Sequence, residues 1–194
     1  MSFTYLKISQ NLNHNKLLEN TLDKLDKKDK LNKYNCLEIG SGNCSVSIPL
    51  SKYFNTYTAI EPNERLFNIC KSNIEYHKSD IKLYNSDFKK FFINNKKNNF
   101  HIILFINSFH FMDLTDNLML ENLKNSCIII VHPCYDSDNF GDTKLNKDSH
   151  DFNKELYEKN KQNLNKYEDF IKIHFDIHYN NSNRFYKIFI LTVK

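Results

Sequence analysis

The chain has 194 residues, enough for one domain with a substantial core, and its 40% hydrophobic and 14% aromatic content excludes a wholly disordered polypeptide. The net charge of +4 is modest, and the basic residues are nearly all lysine, with arginine only at Arg65 and Arg184. This argues against a surface built for bidentate phosphate and base contacts. The apolar runs Ile102–Ile106 and Cys127–Val131 are too short to span a bilayer, and Met1–Tyr5 holds no signal-peptide core. Five cysteines, an odd count with no paired short spacing, read as reduced thiols; the expectation is a soluble, cytoplasmic protein with no membrane partner.

In chain order, Leu6–Lys33 is polar, with Leu17, Leu18, Leu22, Leu25 and Leu31 spaced as one face of a helix. Cys36–Ile39 is the first strand-like run, and Val46–Tyr53 the helix-like run after it. Between them lies Gly40-Ser41-Gly42-Asn43-Cys44, with two of the chain's three glycines, marking a place where no side chain fits. Strand, tight glycine turn and helix form the opening unit of a nucleotide-type α/β fold. The second strand, Thr56–Ile60, ends at Glu61, roughly 20 residues beyond the glycine turn, where an acidic side chain meets ribose hydroxyls. Helix Glu64–Tyr76, strand Ile81–Tyr84, helix Phe88–Asn94, strand Phe100–Asn107, helix Leu114–Leu123 and strand Cys127–His132 follow. Such alternation predicts a parallel sheet with helices on both faces.

The remainder breaks the pattern. Tyr135–His150 reads as a loop and Asp151–Tyr167 as a helix. Phe170–Tyr179 alternates apolar and polar residues, Asn180-Asn181-Ser182-Asn183 is turn chemistry, and Phe185–Val193 is a second strand. Two strands joined by so short a turn are antiparallel.

The chain resembles the class I S-adenosylmethionine-dependent methyltransferases. Their acidic-x-Gly-x-Gly-x-Gly signature stands as Glu38-Ile39-Gly40-Ser41-Gly42-Asn43-Cys44, with Cys44 in place of the third glycine. Glu61 matches their acidic residue ending strand two, Asp87 their polar residue after strand three, and Ile106–Phe111 the segment that ends their fourth strand. The resemblance implies a Rossmann-like single domain: a mainly parallel seven-stranded sheet, helices on both faces and a C-terminal antiparallel β-hairpin. Within it, 1–34 is a helical cap, 35–134 the cofactor-binding core, 135–150 a loop, and 151–194 a helix plus the hairpin. The cap and the loop are expected to cover the pocket.

The resemblance also implies S-adenosyl-L-methionine as cofactor, held by Glu38, Gly40, Gly42, Glu61, Pro62, Asp87, Phe88 and Asn107. Glu38 either places charge near the cofactor's ammonium and sulfonium groups or is a strand-end carboxylate satisfied by backbone amides. Glu61 accepts from the ribose hydroxyls, or caps the following helix, or does both. Asp87 accepts from the adenine amino group and also reads as a helix N-cap, with Phe88 covering the ring.

Phe109, Phe111, His132 and Tyr135 are the expected substrate contacts. His110 is the candidate base, needed only if the acceptor carries a proton that must leave. His132 with Cys134 is too sparse for a zinc site, and no metal is expected. Asn107-Ser108-Phe109-His110 lacks the Asn/Asp-Pro-Pro-aromatic motif of many enzymes that methylate planar amino groups. The leading expectation is therefore a small-molecule acceptor. The alternatives are a protein or RNA acceptor, met by the lysines, and a non-catalytic binding protein, prompted by Cys44.

Overall fold

The computed structural model describes residues 13–95, 99–109, 112, 117–133, 165–182 and 186–194. The elements run α1 (Asn13–Asp29), a 3-10 turn (Leu31–Lys33), β1 (Asn35–Ile39), α2 (Ser47–Ser51), β2 (Thr56–Ile60), α3 (Glu64–His77), β3 (Lys82–Tyr84), α4 (Phe88–Asn94), β4 (Ile102–Ile106), α5 (Asn117–Leu123) and β5 (Cys127–Pro133). After them come α6 (165–174), β6 (Phe175–Ser182) and β7 (Tyr186–Val193). The seven strands form one sheet in the order β3-β2-β1-β4-β5-β7-β6. β1 to β5 pair in parallel; β7 runs antiparallel between β5 and β6. The expected architecture is thus the observed one, and the strand order reverses between β1 and β4.

The central strands are buried on both faces, so they read as apolar runs and not as alternation. Their side chains still divide with period two. Leu37, Ile39, Ile103, Phe105, Ile128 and Ile130 pack with Phe91 and Phe92 of α4, Leu123 of α5 and Ile171 of α6. Cys36, Leu104, Ile129, Val131 and Ile188 pack on the opposite face with Leu18 and Leu22 of α1 and Leu50 of α2. Each fully buried Leu or Ile contributes about 1.5–3 kcal/mol relative to exposure. The leucine stripe of α1 is therefore spent on the sheet face. No described residue of α1 lines the large cavity below; residues 1–12 of the expected cap lie outside the described residues.

A correction concerns Phe170–Tyr179. Residues up to His174 are helical, and β6 begins at Phe175. The segment carries two periods at once: Tyr167, Phe170 and Ile171 have helical spacing and pack against one core cluster, and the helix leaves Ile173 65% exposed. In β6 a bulge falls between Ile177 and Tyr179, with His178 as the extra residue. A bulge of one residue flips the side chains beyond it to the other face. Phe175 accordingly joins the cluster of Phe105 and Ile171, and Tyr179 the cluster of Leu104 and Ile188. The strand also runs through Ser182, where turn chemistry was expected, because Asn180, Asn181 and Ser182 still pair with β7.

Candidate functional site

At the carboxyl ends of β1, β2 and β4, where the strand order reverses, a cavity of about 720 Å³ opens. Open α/β sheets place ligands at such a switch point. Ile39, Gly40, Gly42, Ile60, Glu61, Pro62, Asn63 and Leu66 line one side, and Ser86, Asp87, Phe88, Lys89, Asn107, Ser108, Met112 and Met119 the other. The strand ends thus bring together Gly40, Gly42, Glu61, Pro62, Asp87, Phe88 and Asn107, seven of the eight residues expected to hold a cofactor.

The glycine loop turns back over the end of β2. Gly40 and Ser41 both donate their backbone N–H to the Ile60 carbonyl, at 2.9 and 3.0 Å. Gly40 and Gly42 have φ of 74° and 60°, a region that disfavours other residues. A Cβ on Gly40 would lie 2.7 Å from the Cβ of Ser108, whereas one on Gly42 would meet nothing within 4 Å. The first glycine therefore admits Ser108, just past the end of β4, and the second leaves open space. The Ser108 hydroxyl donates to the Ile39 carbonyl and ties the two lips of the crevice at its floor.

Glu61 is buried, and both its oxygens accept backbone hydrogens: Oε2 from Gly42 at 2.7 Å and Oε1 from Asn63 at 2.8 Å. Each oxygen retains a further lone pair for a ligand hydroxyl. Asn85 donates to the Glu61 carbonyl at 2.8 Å and fixes the turn that aims this side chain. Asp87 is the N-cap of α4, accepting from the Lys90 N–H at 2.8 Å. Beside it Phe88 packs against Phe92 with ring centres 4.7 Å apart. Asn107 has φ of 55°, and among the described residues its buried Oδ1 has no hydrogen-bond partner, which leaves an acceptor at the cavity wall.

Glu38 is the eighth, and it lies elsewhere. Its side chain shares a face with Cys36, is 1% exposed, and accepts from the Tyr57 hydroxyl at 2.8 Å. Strand alternation sends it toward the α1–α2 face and not to the residues lining the cavity. Burial raises its carboxyl above the ordinary value of 4.5, against the pull of the Ser47 and Tyr57 hydroxyls. A carboxyl held high in the folded state binds its proton more tightly than in the unfolded chain. Stability is then full at low pH, falls as pH rises from about 4.5, and levels off above the folded value. Glu38→Gln carries no titrating proton, so urea melts across this range are expected to show a flatter stability profile than the parent. An unchanged slope would remove Glu38 as its source.

The substrate-side residues divide. Phe109 is 2% exposed and packs edge-on against Phe105 and Tyr167, at 5.2 and 5.8 Å, within the core and not in the cavity wall. Its described contacts are those of a core residue. The backbone of His132 pairs with Lys187 in β5 and β7. His110, Phe111 and Tyr135 lie outside the described residues, as does most of the helix expected over Asp151–Tyr167. Ser108, Asn63, Leu66, Met112 and Met119 were not singled out by the sequence. A signal existed for Ser108 alone, since a close approach to a glycine needs a small partner.

The model of a family described as ribosomal RNA adenine dimethylase matches residues 6–125. The chain belongs to that family. Among solved structures, the chain is similar to the PH0226 protein from Pyrococcus horikoshii OT3, at 13% identity and TM-score 0.63, over 95% of this chain and 93% of that one. It is also similar to magnesium protoporphyrin IX methyltransferase from Synechocystis PCC 6803 with bound S-adenosylmethionine, at 10% identity and TM-score 0.59, over 93% and 80%. Ribosomal protein L11 methylase from Lactobacillus delbrueckii subsp. bulgaricus gives 13% identity and TM-score 0.56, over 90% and 78%. At such identities these likenesses carry the fold alone. No curated protein matches the sequence.

As a member of the dimethylase family the chain is a class I methyltransferase, and S-adenosylmethionine is its cofactor. The residues present fit that molecule. The cavity has the size of a cofactor site, and two glycines in left-handed conformations bring bare backbone to its edge. Asn107 Oδ1 awaits a donor there. Cys44, the departure from the glycine signature, is fully buried, is not among the cavity-lining residues, and is bonded to Cys70 of α3. It therefore leaves the cofactor space clear. That bond corrects the expectation of uniformly reduced thiols; the two cysteines are 26 residues apart in sequence and meet only through the β2–α3 fold. Among the described residues, no helix is long and apolar enough to cross a membrane.

Proposed function

We propose that the chain methylates a small-molecule acceptor, held beside the cofactor at Asn107. Bound S-adenosylmethionine supplies an electrophilic methyl group on a positively charged sulfur. Transfer of that methyl group by displacement depends on alignment and exclusion of water more than on an elaborate proton relay. In this reading Glu61 accepts from ribose hydroxyls, Asp87 from the adenine amino group, and Phe88 covers the ring. Asn107 Oδ1 accepts a hydrogen bond from the cofactor, and His110 removes a proton where the acceptor must lose one.

The observation that carries the small-molecule reading is the burial of Phe109. A flipped base is held by stacking between aromatic or apolar side chains, and the ring of Phe109, next to Ser108 in sequence, is committed to Phe105 and Tyr167 instead. Family membership favours a second reading, an adenine in RNA, in which lysines supply a salt-dependent attraction. The two are separated by offering protein and methyl-labelled cofactor either the ultrafiltrate of a cell extract or unmodified ribosomal RNA. Label in a low-molecular-weight product is expected. Label confined to the RNA, with binding that falls steeply with salt, would replace the first reading by the second.

A further inference from the structure

Three successive residues of the cofactor loop are tied to one neighbouring unit, the β2–α3 limb. The Gly42 N–H donates to Glu61 at 2.7 Å. The Asn43 carbonyl accepts from the side chain of Asn73 at 2.9 Å. Cys44 is bonded to Cys70, with Cα atoms 4.9 Å apart. Cys70 and Asn73 stand three residues apart in α3, hence on one face, and both are buried. Cys44 also holds a φ of 60° at the position where the family signature has glycine. A left-handed conformation is strained for a residue with a side chain and persists where the surroundings over-determine it.

We propose that the Cys44–Cys70 bond positions the cofactor loop, so that the oxidation state of this pair and occupancy by S-adenosylmethionine are coupled. Opened, the bond no longer holds Cys44 in its left-handed conformation, and relaxation there moves the Gly42 amide off Glu61, the carboxylate assigned to the ribose. Closing it transfers two electrons and two protons from the thiols to a small-molecule disulfide, which leaves as two thiols. Coupling of this kind is reciprocal: whatever factor oxidation gives to cofactor affinity, the cofactor returns to the stability of the bond. The proposal rests on the cofactor assignment and is independent of the acceptor, because its test contains none.

The test titrates S-adenosylmethionine into the parent protein, equilibrated in oxidising or reducing glutathione buffer, and into Cys70→Ser, which lacks the bond whatever the access of reductant. Alkylation followed by peptide mass spectrometry reports the state of Cys44 and Cys70. The expected result is cofactor binding at least about fivefold weaker in the reduced parent and in Cys70→Ser. The glutathione ratio at half-oxidation should shift by the same factor when cofactor is saturating, a change that a merely structural disulfide would not show. A difference below about fivefold, an unshifted ratio, or free Cys44 and Cys70 thiols in oxidising buffer would each overturn the proposal. If Cys70→Ser fails to fold, the parent's two buffers and the shifted ratio decide the matter.

Discussion

Glu61→Ala is expected to weaken S-adenosylmethionine binding by about 10- to 150-fold, the loss of one hydrogen bond to a charged acceptor. The carboxylate accepts the amides of Gly42 and Asn63, and its remaining lone pairs face the cavity. Hydrogen bonds to a charged group contribute about 1.5–3 kcal/mol each, and tenfold in affinity is about 1.4 kcal/mol. Alanine removes the ligand's acceptor and leaves two loop amides unpaired. Glu61→Gln keeps the shape and one acceptor oxygen, yet presents an N–H to an N–H, so a loss of about tenfold is expected, since neutral hydrogen bonds are roughly half as strong as charged ones. Calorimetric titration with the cofactor, beside thermal melts of each variant, measures both numbers. Unchanged affinity in both variants would take Glu61 out of the site.

The second large effect falls on Gly40. Gly40→Ala places a Cβ 2.7 Å from that of Ser108 at a φ of 74°. The left-handed backbone costs about 1–2 kcal/mol and the overpacking about 1–3. A combined loss near 3 kcal/mol lowers the melting temperature by roughly 6–12 °C in a domain of this size. Gly42→Ala meets nothing within 4 Å and carries only the backbone cost, so its melting temperature should fall roughly half as far. Ser108→Gly in the Gly40→Ala background is expected to recover part of the loss, because the two sites share one contact. Equal melting shifts for the two glycine variants, with no rescue by Ser108→Gly, would refute the close approach.

The parts of the site fixed by backbone geometry were readable in the sequence. Gly40 and Gly42, Glu61 after β2 and Asp87 after β3 sit where strand ends and a tight turn must place them. Side-chain direction was less accessible. Glu38 belongs to the signature by position, but alternation along β1 sends it to the side of Cys36. Residues 167–177 satisfied helical and strand periods at once, and only the burial of Ile171 beside exposed Ile173 decides between them. Contacts between distant segments had no sequence signal: Cys44 with Cys70, Asn73 with Asn43, and Phe109 with Tyr167 depend on how helices lie against strands.

The two outer strands of the sheet have a bearing on self-association. β3 is three residues long, too short to offer a partner more than a few hydrogen bonds. β6, at the other margin, is longer and carries Ile177 at 43% exposure, which on a flat ribbon would invite a second copy to add a strand. The unpaired His178 interrupts that ribbon midway, and its imidazole meets Thr192 of β7 at 2.7 Å. An incoming strand would find its ladder broken after a few residues and its side chains facing the wrong way beyond the break. The bulge at His178 makes this margin a poor template for aggregation.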